Sequence, residues 1–204
     1  LHFALLDAQH NSLLITGSSP GLGKSFVTKN LAAVLSQTGK RVVIVDADLR
    51  RGHINKEFGL KREVGVSEFV AGRATLVDII KPTGIPHLSV VTTGAIPPNP
   101  SELLMHKHFE DLLLELGKLF DTVIIDAPPV LAAADAAIIG RHAGATLLVA
   151  RAGKHPIKEL EQAVKRLKQA GVQVKGFVFN DLNTDRQKYR YGYKGYVYRY
   201  SYKS

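Results

Sequence analysis

Short apolar or β-branched runs alternate along the chain with longer segments in which apolar residues recur every three or four positions. The short runs predict β-strands, and several are apolar throughout, which is typical of strands buried on both faces of a sheet. The predicted strands cover residues 12–16, 41–46, 88–92, 122–126, 145–150 and 174–179.

The longer segments have the spacing of helices with one buried face. Gly39 and Gly171 each follow such a segment, where glycine commonly ends a helix. Asn99, Pro100 and Glu102 supply a cap, a first-turn proline and an early acidic residue. The alternation of strands and helices predicts an α/β fold, with a mostly parallel β-sheet flanked by helices on both faces. The predicted helices cover residues 24–37, 100–118 and 157–170.

Composition sets broad limits on the class of protein. The 204 residues are 45% hydrophobic and 22% charged, which fits one globular domain with an ordinary core. No apolar run approaches the roughly eighteen residues of a membrane span, and no signal segment begins at Leu1, so we expect a soluble fragment. The absence of cysteine excludes disulfides and thiolate metal sites, and is compatible with the cytoplasm.

The positive charge is concentrated at one end of the chain. The formal net charge is +9, and residues 186–204 contribute six basic residues and no acidic one. A basic tail of this kind does not indicate a basic face on the folded domain, so we expect no nucleic acid partner. We therefore divide the chain into a folded domain, residues 1–180, and a tail, residues 181–204.

A glycine-rich segment, GSSPGLGKS at residues 17–25, joins the first predicted strand to the first predicted helix. A phosphate-binding P-loop requires this context. Backbone N–H groups of such a loop face the phosphates, Lys24 adds a positive charge, and the Ser25 hydroxyl can ligate magnesium. The sequence therefore predicts a P-loop NTPase that contacts nucleotide through Gly21, Leu22, Gly23, Lys24, Ser25 and Phe26.

The spacing of this loop departs from the usual P-loop pattern by one residue. Ser18 stands where the strict pattern has its first glycine, and Gly17 lies one position earlier. A glycine-rich turn that only caps a helix is the alternative interpretation.

Acidic residues follow two other predicted strands. Asp46 and Asp48 come at and just after the end of one strand, and Asp126 ends another. Because the carboxyl ends of parallel strands share one edge of the sheet with the P-loop, we expect these acids to converge on a magnesium ion bound to ATP or ADP. The alternative is that each aspartate caps the turn that follows it.

Together these motifs resemble the bacterial tyrosine kinases, the BY-kinase family that includes the cytoplasmic domains of Wzc-type polysaccharide co-polymerases. Residues 17–25 match the family's Walker A loop, residues 46–50 its Walker A′ motif and residues 126–129 its Walker B strand. The segment PPNPSELL at residues 97–104 also looks like the family's. The resemblance implies ATP and magnesium, transfer of phosphate to tyrosine, and control of capsule or exopolysaccharide export.

The resemblance also implies roles for the acidic residues. A tyrosine phenol has a pKa of about 10, so it needs a positioned base near neutral pH. We assign Asp46 as the acceptor of the phenolic proton, and Asp48 and Asp126 with Ser25 as the magnesium-binding residues. The order of roles between Asp46 and Asp48 follows from the resemblance and not from their spacing.

Three further residues are assigned to the nucleotide. Lys24 is expected to stabilise charge on the transferring phosphoryl group, and Arg50 is a second candidate for this role. Asn180 ends the last predicted strand on the nucleotide side, where it either reaches the base or caps a turn.

The resemblance has clear departures. Partitioning and division ATPases, the ParA/MinD-like relatives of this class, carry an extra lysine at the position of Ser19, so its absence disfavours a nucleotide-switched dimer. An ATP-dependent adaptor with a basic docking tail is the non-catalytic alternative. The family's ring-forming Glu-x-x-Arg-x-x-Arg motif does not precede Leu1, so we expect a truncated chain. Its membrane-spanning co-polymerase segment then lies in the same or a separate polypeptide.

All seven tyrosines of the chain lie within its last sixteen residues. Tyrosine is a good core residue, so packing does not explain this confinement. A strand with tyrosines on one face and a strip that stacks on single-stranded nucleic acid are two alternatives. The resemblance favours a third interpretation, in which the cluster is autophosphorylated on the tail of a neighbouring subunit. It also implies a location at the cytoplasmic side of the bacterial inner membrane and a tyrosine phosphatase that removes the phosphates. The cluster comprises Tyr189, Tyr191, Tyr193, Tyr196, Tyr198, Tyr200 and Tyr202.

Overall fold

A computed structural model describes residues 10–153 and 156–182. Seven strands form one sheet in the order β3-β4-β2-β5-β1-β6-β7. Neighbouring strands pair in parallel, except that β3 is antiparallel to β4. The strands are β1 (Ser12–Gly17), β2 (Val42–Asp46), β3 (Ile80–Pro82), β4 (Leu88–Val91), β5 (Thr122–Asp126), β6 (Ala145–Arg151) and β7 (Val174–Asn180).

Helices in the described ranges lie on both faces of this sheet, as the sequence predicts. Successive residues of each central strand enter different apolar cores, because side chains alternate across a strand. Leu14 packs with helices of one face, and Leu13 and Ile15 pack with those of the other. The helices are α1 (Lys24–Ser36), α2 (Ile54–Glu57), α3 (Val66–Val70), α4 (Leu76–Ile79), α5 (Pro100–Met105), α6 (Lys107–Leu119), α7 (Asp135–Gly140) and α8 (Ile157–Gln169).

The six predicted strands are confirmed, with ends that shift by at most one residue. The prediction of one continuous helix over residues 100–118 is wrong, because the chain becomes extended at His106 (φ −68°, ψ 143°). The His106 ring accepts a hydrogen bond from the backbone N–H of His108 and thereby caps a new helix. The sequence also gave no sign of the short edge strand β3. In the described ranges, no helix combines the length and apolar character that a bilayer crossing requires.

The register of the central strands determines where the polar motifs meet. Asp126 of β5 is paired with Ile15 of β1 on one side and with Asp46 of β2 on the other. The P-loop follows directly after β1. The loop and the acidic strand ends therefore lie at the same carboxyl edge of the sheet, which is where ligands bind in open α/β sheets.

Candidate active site

The glycine-rich loop has the backbone of a phosphate cradle. Gly21 and Gly23 both have left-handed φ angles, +77° and +84°, which glycine adopts without strain. Helix α1 begins at Lys24 with no side-chain cap on its first turn. Its N-terminal N–H groups are therefore not used by a capping side chain, and they suit an anionic ligand.

Asn180 closes one side of this loop. Its Nδ2 donates a 2.9 Å hydrogen bond to the carbonyl oxygen of Leu22. A Cβ atom at Gly23 would lie 2.1 Å from the same Nδ2 atom, so only glycine fits there beside this amide. The structure thus places Asn180 at the P-loop with its amide on the loop backbone, and its contact with the nucleotide base stays a prediction.

The buried carboxylate of Asp126 holds the start of α1. Oδ2 accepts a 2.7 Å hydrogen bond from the Ser25 hydroxyl, and Oδ1 accepts a 3.0 Å bond from the Thr28 hydroxyl. Burial raises the pKa of Asp126, and the hydrogen bond from Ser25 together with the charge of Lys24 opposes this rise. Two predicted magnesium-binding residues, Ser25 and Asp126, are therefore in direct contact. Sequence reasoning missed Thr28, which gives no signal beyond its place one turn after Ser25.

Asp46 is the most enclosed acid of the site, with 1% of its surface exposed. Its carboxylate accepts hydrogen bonds from the backbone N–H groups of Ile54, at 3.0 Å, and Asp48, at 3.4 Å. Burial raises its pKa well above the ordinary carboxyl value, and the nearby Asp126 raises it further. In this arrangement a tyrosine phenol reaches Asp46 only if the segment that follows it moves.

Asp48 lies in a turn and is half-buried. Its Oδ1 accepts hydrogen bonds from the backbone N–H groups of Arg50, at 3.2 Å, and Arg51, at 2.9 Å. The alternative interpretation, in which the aspartate caps the turn that follows it, is therefore present in the structure, and the magnesium-binding role of Asp48 stays a prediction. The cap occupies Oδ1, which leaves the second oxygen as the one suited to a cation.

The guanidinium of Arg50 is directed to other protein groups. Nε and Nη2 donate to the two oxygens of Asp135, at 2.8 and 3.2 Å, and Nη2 also donates to the Ser101 hydroxyl at 2.9 Å. The hydrogen bond with Asp135 raises the pKa of Arg50. The predicted role of Arg50 at the phosphoryl group stays a prediction that requires these contacts to break.

Magnesium fits the donor set. Among the described residues, no group of three or more histidine, cysteine or acidic side chains is placed to hold a metal alone. A P-loop site does not need one, because magnesium is bound there by a hydroxyl, one or two carboxylates, water and the phosphates. Ser25 and Asp126 supply the hydroxyl and a carboxylate in contact, and the mutual repulsion of Asp46, Asp48 and Asp126 favours a cation beside them.

A pocket of about 190 Å³ opens beside the P-loop. Leu22, Ile157 and Phe179 supply apolar surface to it, and Arg151 also lines it. Arg151 donates to the carbonyl oxygen of Gly21 at 3.2 Å and pairs with Asp181 at 2.6 Å, a contact that sequence reasoning did not foresee. The predicted nucleotide contact of Phe26, which is 59% exposed in the first turn of α1, stays a prediction.

The predicted phosphorylation sites, Tyr189 to Tyr202, lie outside the described residues. Strand β7 ends at Asn180, the position where the domain was predicted to end. The division of the chain at that position stays a prediction, because residues 183–204 are not described.

Comparison with known proteins gives a consistent set of relatives. A family model described as "ParA: NUBPL iron-transfer P-loop NTPase" matches residues 9–187. The tyrosine-protein kinase wzc of Salmonella typhimurium is 46% identical over 200 residues, which are 98% of this chain and 28% of that protein. The solved kinase domain of Escherichia coli tyrosine kinase ETK is 42% identical with a TM-score of 0.87, covering 98% of this chain and 76% of that domain.

Two other solved structures differ widely in their sequence identity to this chain. The BceF tyrosine kinase domain is 47% identical with a TM-score of 0.80, over 87% of this chain and 72% of that one. The septum site-determining protein MinD of Pyrococcus horikoshii, solved with Mg-ADP, is 23% identical with a TM-score of 0.69, and shares the fold alone. The chain spans 28% of the length of the curated wzc relative. Its fold, motifs and kinase-domain relatives show that it belongs to the bacterial tyrosine kinase family of P-loop proteins.

Proposed function

We propose that this chain is an ATP-dependent protein-tyrosine kinase that phosphorylates the tyrosine cluster of its own C-terminal tail. The observation that carries the proposal is the contact of Ser25 with Asp126 at the start of a P-loop helix, in a chain 42% identical to a tyrosine kinase domain. The confinement of all seven tyrosines to residues 189–202 supplies the acceptor.

The P-loop is proposed to bind the phosphates of ATP or ADP through the backbone N–H groups of residues 21–26. Lys24 stabilises the charge that develops on the transferring phosphoryl group. The apolar pocket beside Leu22 and Phe179 has the surface that a purine base requires, and Asn180 lies at the adjoining side of the loop.

Ser25, Asp48 and Asp126 are the residues that would hold magnesium. When bound, the ion neutralises negative charge on the β- and γ-phosphates and orients them. The Ser25 hydroxyl is hydrogen-bonded to Asp126, so the protein orients this pair before nucleotide binds.

In the proposed reaction the phenolic oxygen of a tail tyrosine forms a bond to the γ-phosphorus. The bond between that phosphorus and the oxygen bridging to the β-phosphate breaks, and ADP leaves with the electron pair. The phenolic proton passes to a carboxylate, for which Asp46 is proposed as the base. Access for the phenol requires the segment from Asp48 to Ile54 to move, which removes part of the burial that raises the pKa of Asp46; the neighbouring charge of Asp126 still raises that pKa in the opened site.

The proposed setting is the cytoplasmic side of the bacterial inner membrane. The chain would act there with a membrane-spanning co-polymerase segment of the same or a separate polypeptide. The tail of a neighbouring subunit would be its substrate, and a tyrosine phosphatase would reverse the modification. The proposed role in capsule or exopolysaccharide synthesis and export follows from the resemblance to Wzc-type kinases, and the wzc relative supports it.

Intact mass after incubation with ATP and magnesium tests the proposal. We expect the full chain to gain mass in multiples of one phosphate, and a variant lacking residues 186–204 to gain none. The Lys24→Met chain, incubated alone, is the control for a contaminating kinase. Lack of any phosphate on the full chain, with ATP bound, would contradict the proposal.

The second candidate is a partitioning-type ATPase, which the description of the matching family model favours. Such a protein hydrolyses ATP without modifying itself. Release of inorganic phosphate at an unchanged protein mass, with dimerisation that depends on ATP, would select this function.

A further inference from the structure

Asp135 is a carboxylate whose side chain has no solvent exposure. It lies at the start of α7, beyond the loop that follows Asp126. Three hydrogen bonds satisfy it: two from the guanidinium of Arg50 and one of 2.6 Å from the Ser101 hydroxyl of α5. A buried carboxylate with this many donors is a fixed anchor, because leaving it would strand a buried charge.

Arg50 connects this anchor to an acid of the site. Its guanidinium is bound to Asp135, while its backbone N–H donates to Oδ1 of Asp48 at 3.2 Å. The turn is closed further by the N–H of Gly52, which donates to the Asp48 carbonyl oxygen at 2.6 Å. One residue therefore joins the turn that carries Asp48 to the helix that follows the Asp126 loop.

We infer that Asp135 is a positioning residue, which acts through Arg50 to hold the turn at residues 48–52 and to orient Asp48 toward the bound cation and nucleotide. Asp48 lies in a turn and not in a strand, so regular sheet hydrogen bonding does not fix its carboxylate. The two hydrogen bonds from the Arg50 guanidinium to Asp135 instead hold the turn that carries this carboxylate. The identity of the ligand in this inference rests on the proposed function.

Calorimetry of ADP binding to the full chain at increasing magnesium concentration provides the test. We expect Asp135→Asn to raise the magnesium concentration needed for half of the affinity gain by about tenfold, a typical cost of removing a residue that orients a metal ligand. ADP affinity without magnesium should stay within about twofold, because the P-loop is untouched. An unchanged magnesium dependence would overturn the inference.

A double variant separates positioning through Asp48 from a general effect. If Asp135 acts through Asp48, the variant that combines Asp48→Asn with Asp135→Asn should show the same magnesium-dependent gain in ADP affinity as Asp48→Asn alone. Independent, additive losses would overturn the inference. Arg41→Lys is the matched control, since Arg41 makes a similar fork on Asp121 at the start of β2, and it should leave the magnesium dependence unchanged.

If Asp135→Asn does not fold, Arg50→Lys is the variant to measure in its place. Lysine keeps the charge but is a single-point donor that cannot bridge both oxygens of Asp135, so the same loss in magnesium dependence is expected. A wild-type magnesium dependence in Arg50→Lys would overturn the inference. If the wild-type chain binds ADP without any magnesium effect, both the inference and the proposed function fail. If wild type shows a magnesium effect and the variants show the same one, the inference alone fails.

Discussion

The Ser25 hydroxyl donates a 2.7 Å hydrogen bond to Oδ2 of Asp126, across 101 residues of sequence. This contact ties the first turn of α1 to the end of β5. Thr28, one turn later on the same helix, binds the other oxygen of the same carboxylate. Two hydroxyls on one helix face thus share one buried acid, and we expect them to have different functions.

Substitution of these two hydroxyls should separate metal binding from stability. Ser25→Ala should weaken the magnesium-dependent part of ADP affinity by about tenfold or more, because it removes a cation ligand. Thr28→Val should lower the free energy of unfolding by about 1–3 kcal/mol, because it leaves a buried carboxylate oxygen without its donor. Calorimetry and urea unfolding measure the two effects. The assignment fails if Thr28→Val alters magnesium dependence as much as Ser25→Ala does.

Lys24→Met should leave the fold intact and reduce tail phosphorylation by about 100-fold or more, the cost of losing one transition-state donor. Lys29→Met is a matched control on the same helix, since Lys29 pairs with Glu57 and not with the P-loop. Phosphotyrosine immunoblotting of purified chains measures both. Full labelling of the Lys24→Met chain on its own would refute the role of Lys24.

Two glycines of the loop provide a matched pair of variants. Gly21 and Gly23 both have left-handed φ angles, so alanine strains either backbone to a similar degree. A Cβ at Gly21 meets nothing within 4 Å, whereas one at Gly23 collides with Asn180. We expect Gly23→Ala to weaken ADP binding far more than Gly21→Ala. Asn180→Ala in the Gly23→Ala background should restore part of the loss; equal effects of the two glycine substitutions would show that the Asn180 contact is unimportant.

The raised pKa of Asp46 predicts a pH dependence of stability. Because the folded protein holds this proton more tightly than the unfolded chain, stability from Asp46 is fully present below the unfolded value of about 3.9 and is lost as pH rises through the folded pKa. Wild type should therefore lose stability relative to Asp46→Asn as pH increases in this window. Urea unfolding of both chains without magnesium measures the difference, and a gap that is constant with pH would show that Asp46 has an ordinary pKa.

We predict that the tail is phosphorylated mainly between molecules. The nine residues from Asn180 to Tyr189 must both turn back and align the phenol with the γ-phosphate, which makes a chain's own site awkward to reach. A tagged Lys24→Met chain mixed with active enzyme lacking residues 186–204, ATP and magnesium should become labelled on tyrosine. Labelling of the full active chain at a rate independent of its concentration, with the tagged chain unlabelled, would contradict this prediction.

Phosphorylation should also reverse the charge of the tail. Each phosphate adds about −1.5 to −2 charges at neutral pH, so two or three cancel the net +4 of residues 181–204. Assemblies that depend on docking of the tail at a phosphate-lined site should then loosen. Light scattering before and after modification measures this change, and unchanged particle mass would argue against it.

The sequence predicted the site edge because that edge depends on local patterns. A strand buried on both faces, such as Val42–Asp46, is apolar at every position before its end, so the acid that ends it is visible in the sequence. The break at His106 was missed because α5 and α6 pack on the same core with one continuous apolar spacing. Asp135 was missed because its partner Arg50 lies 85 residues away, so no local pattern marks it.

The central place of β1 in the sheet also has a consequence for protein synthesis. The ribosome completes the P-loop before the acid that binds Ser25, which follows 101 residues later. At about 5–20 residues per second, this interval lasts roughly 5–20 seconds. During that time the nascent chain carries a glycine loop without its partner strand, and β1 has an unpaired edge where β5 belongs. Nucleotide therefore lacks the carboxylate of Asp126 until β5 has left the ribosome, and we expect magnesium-dependent binding to report the pairing of β5 with β1.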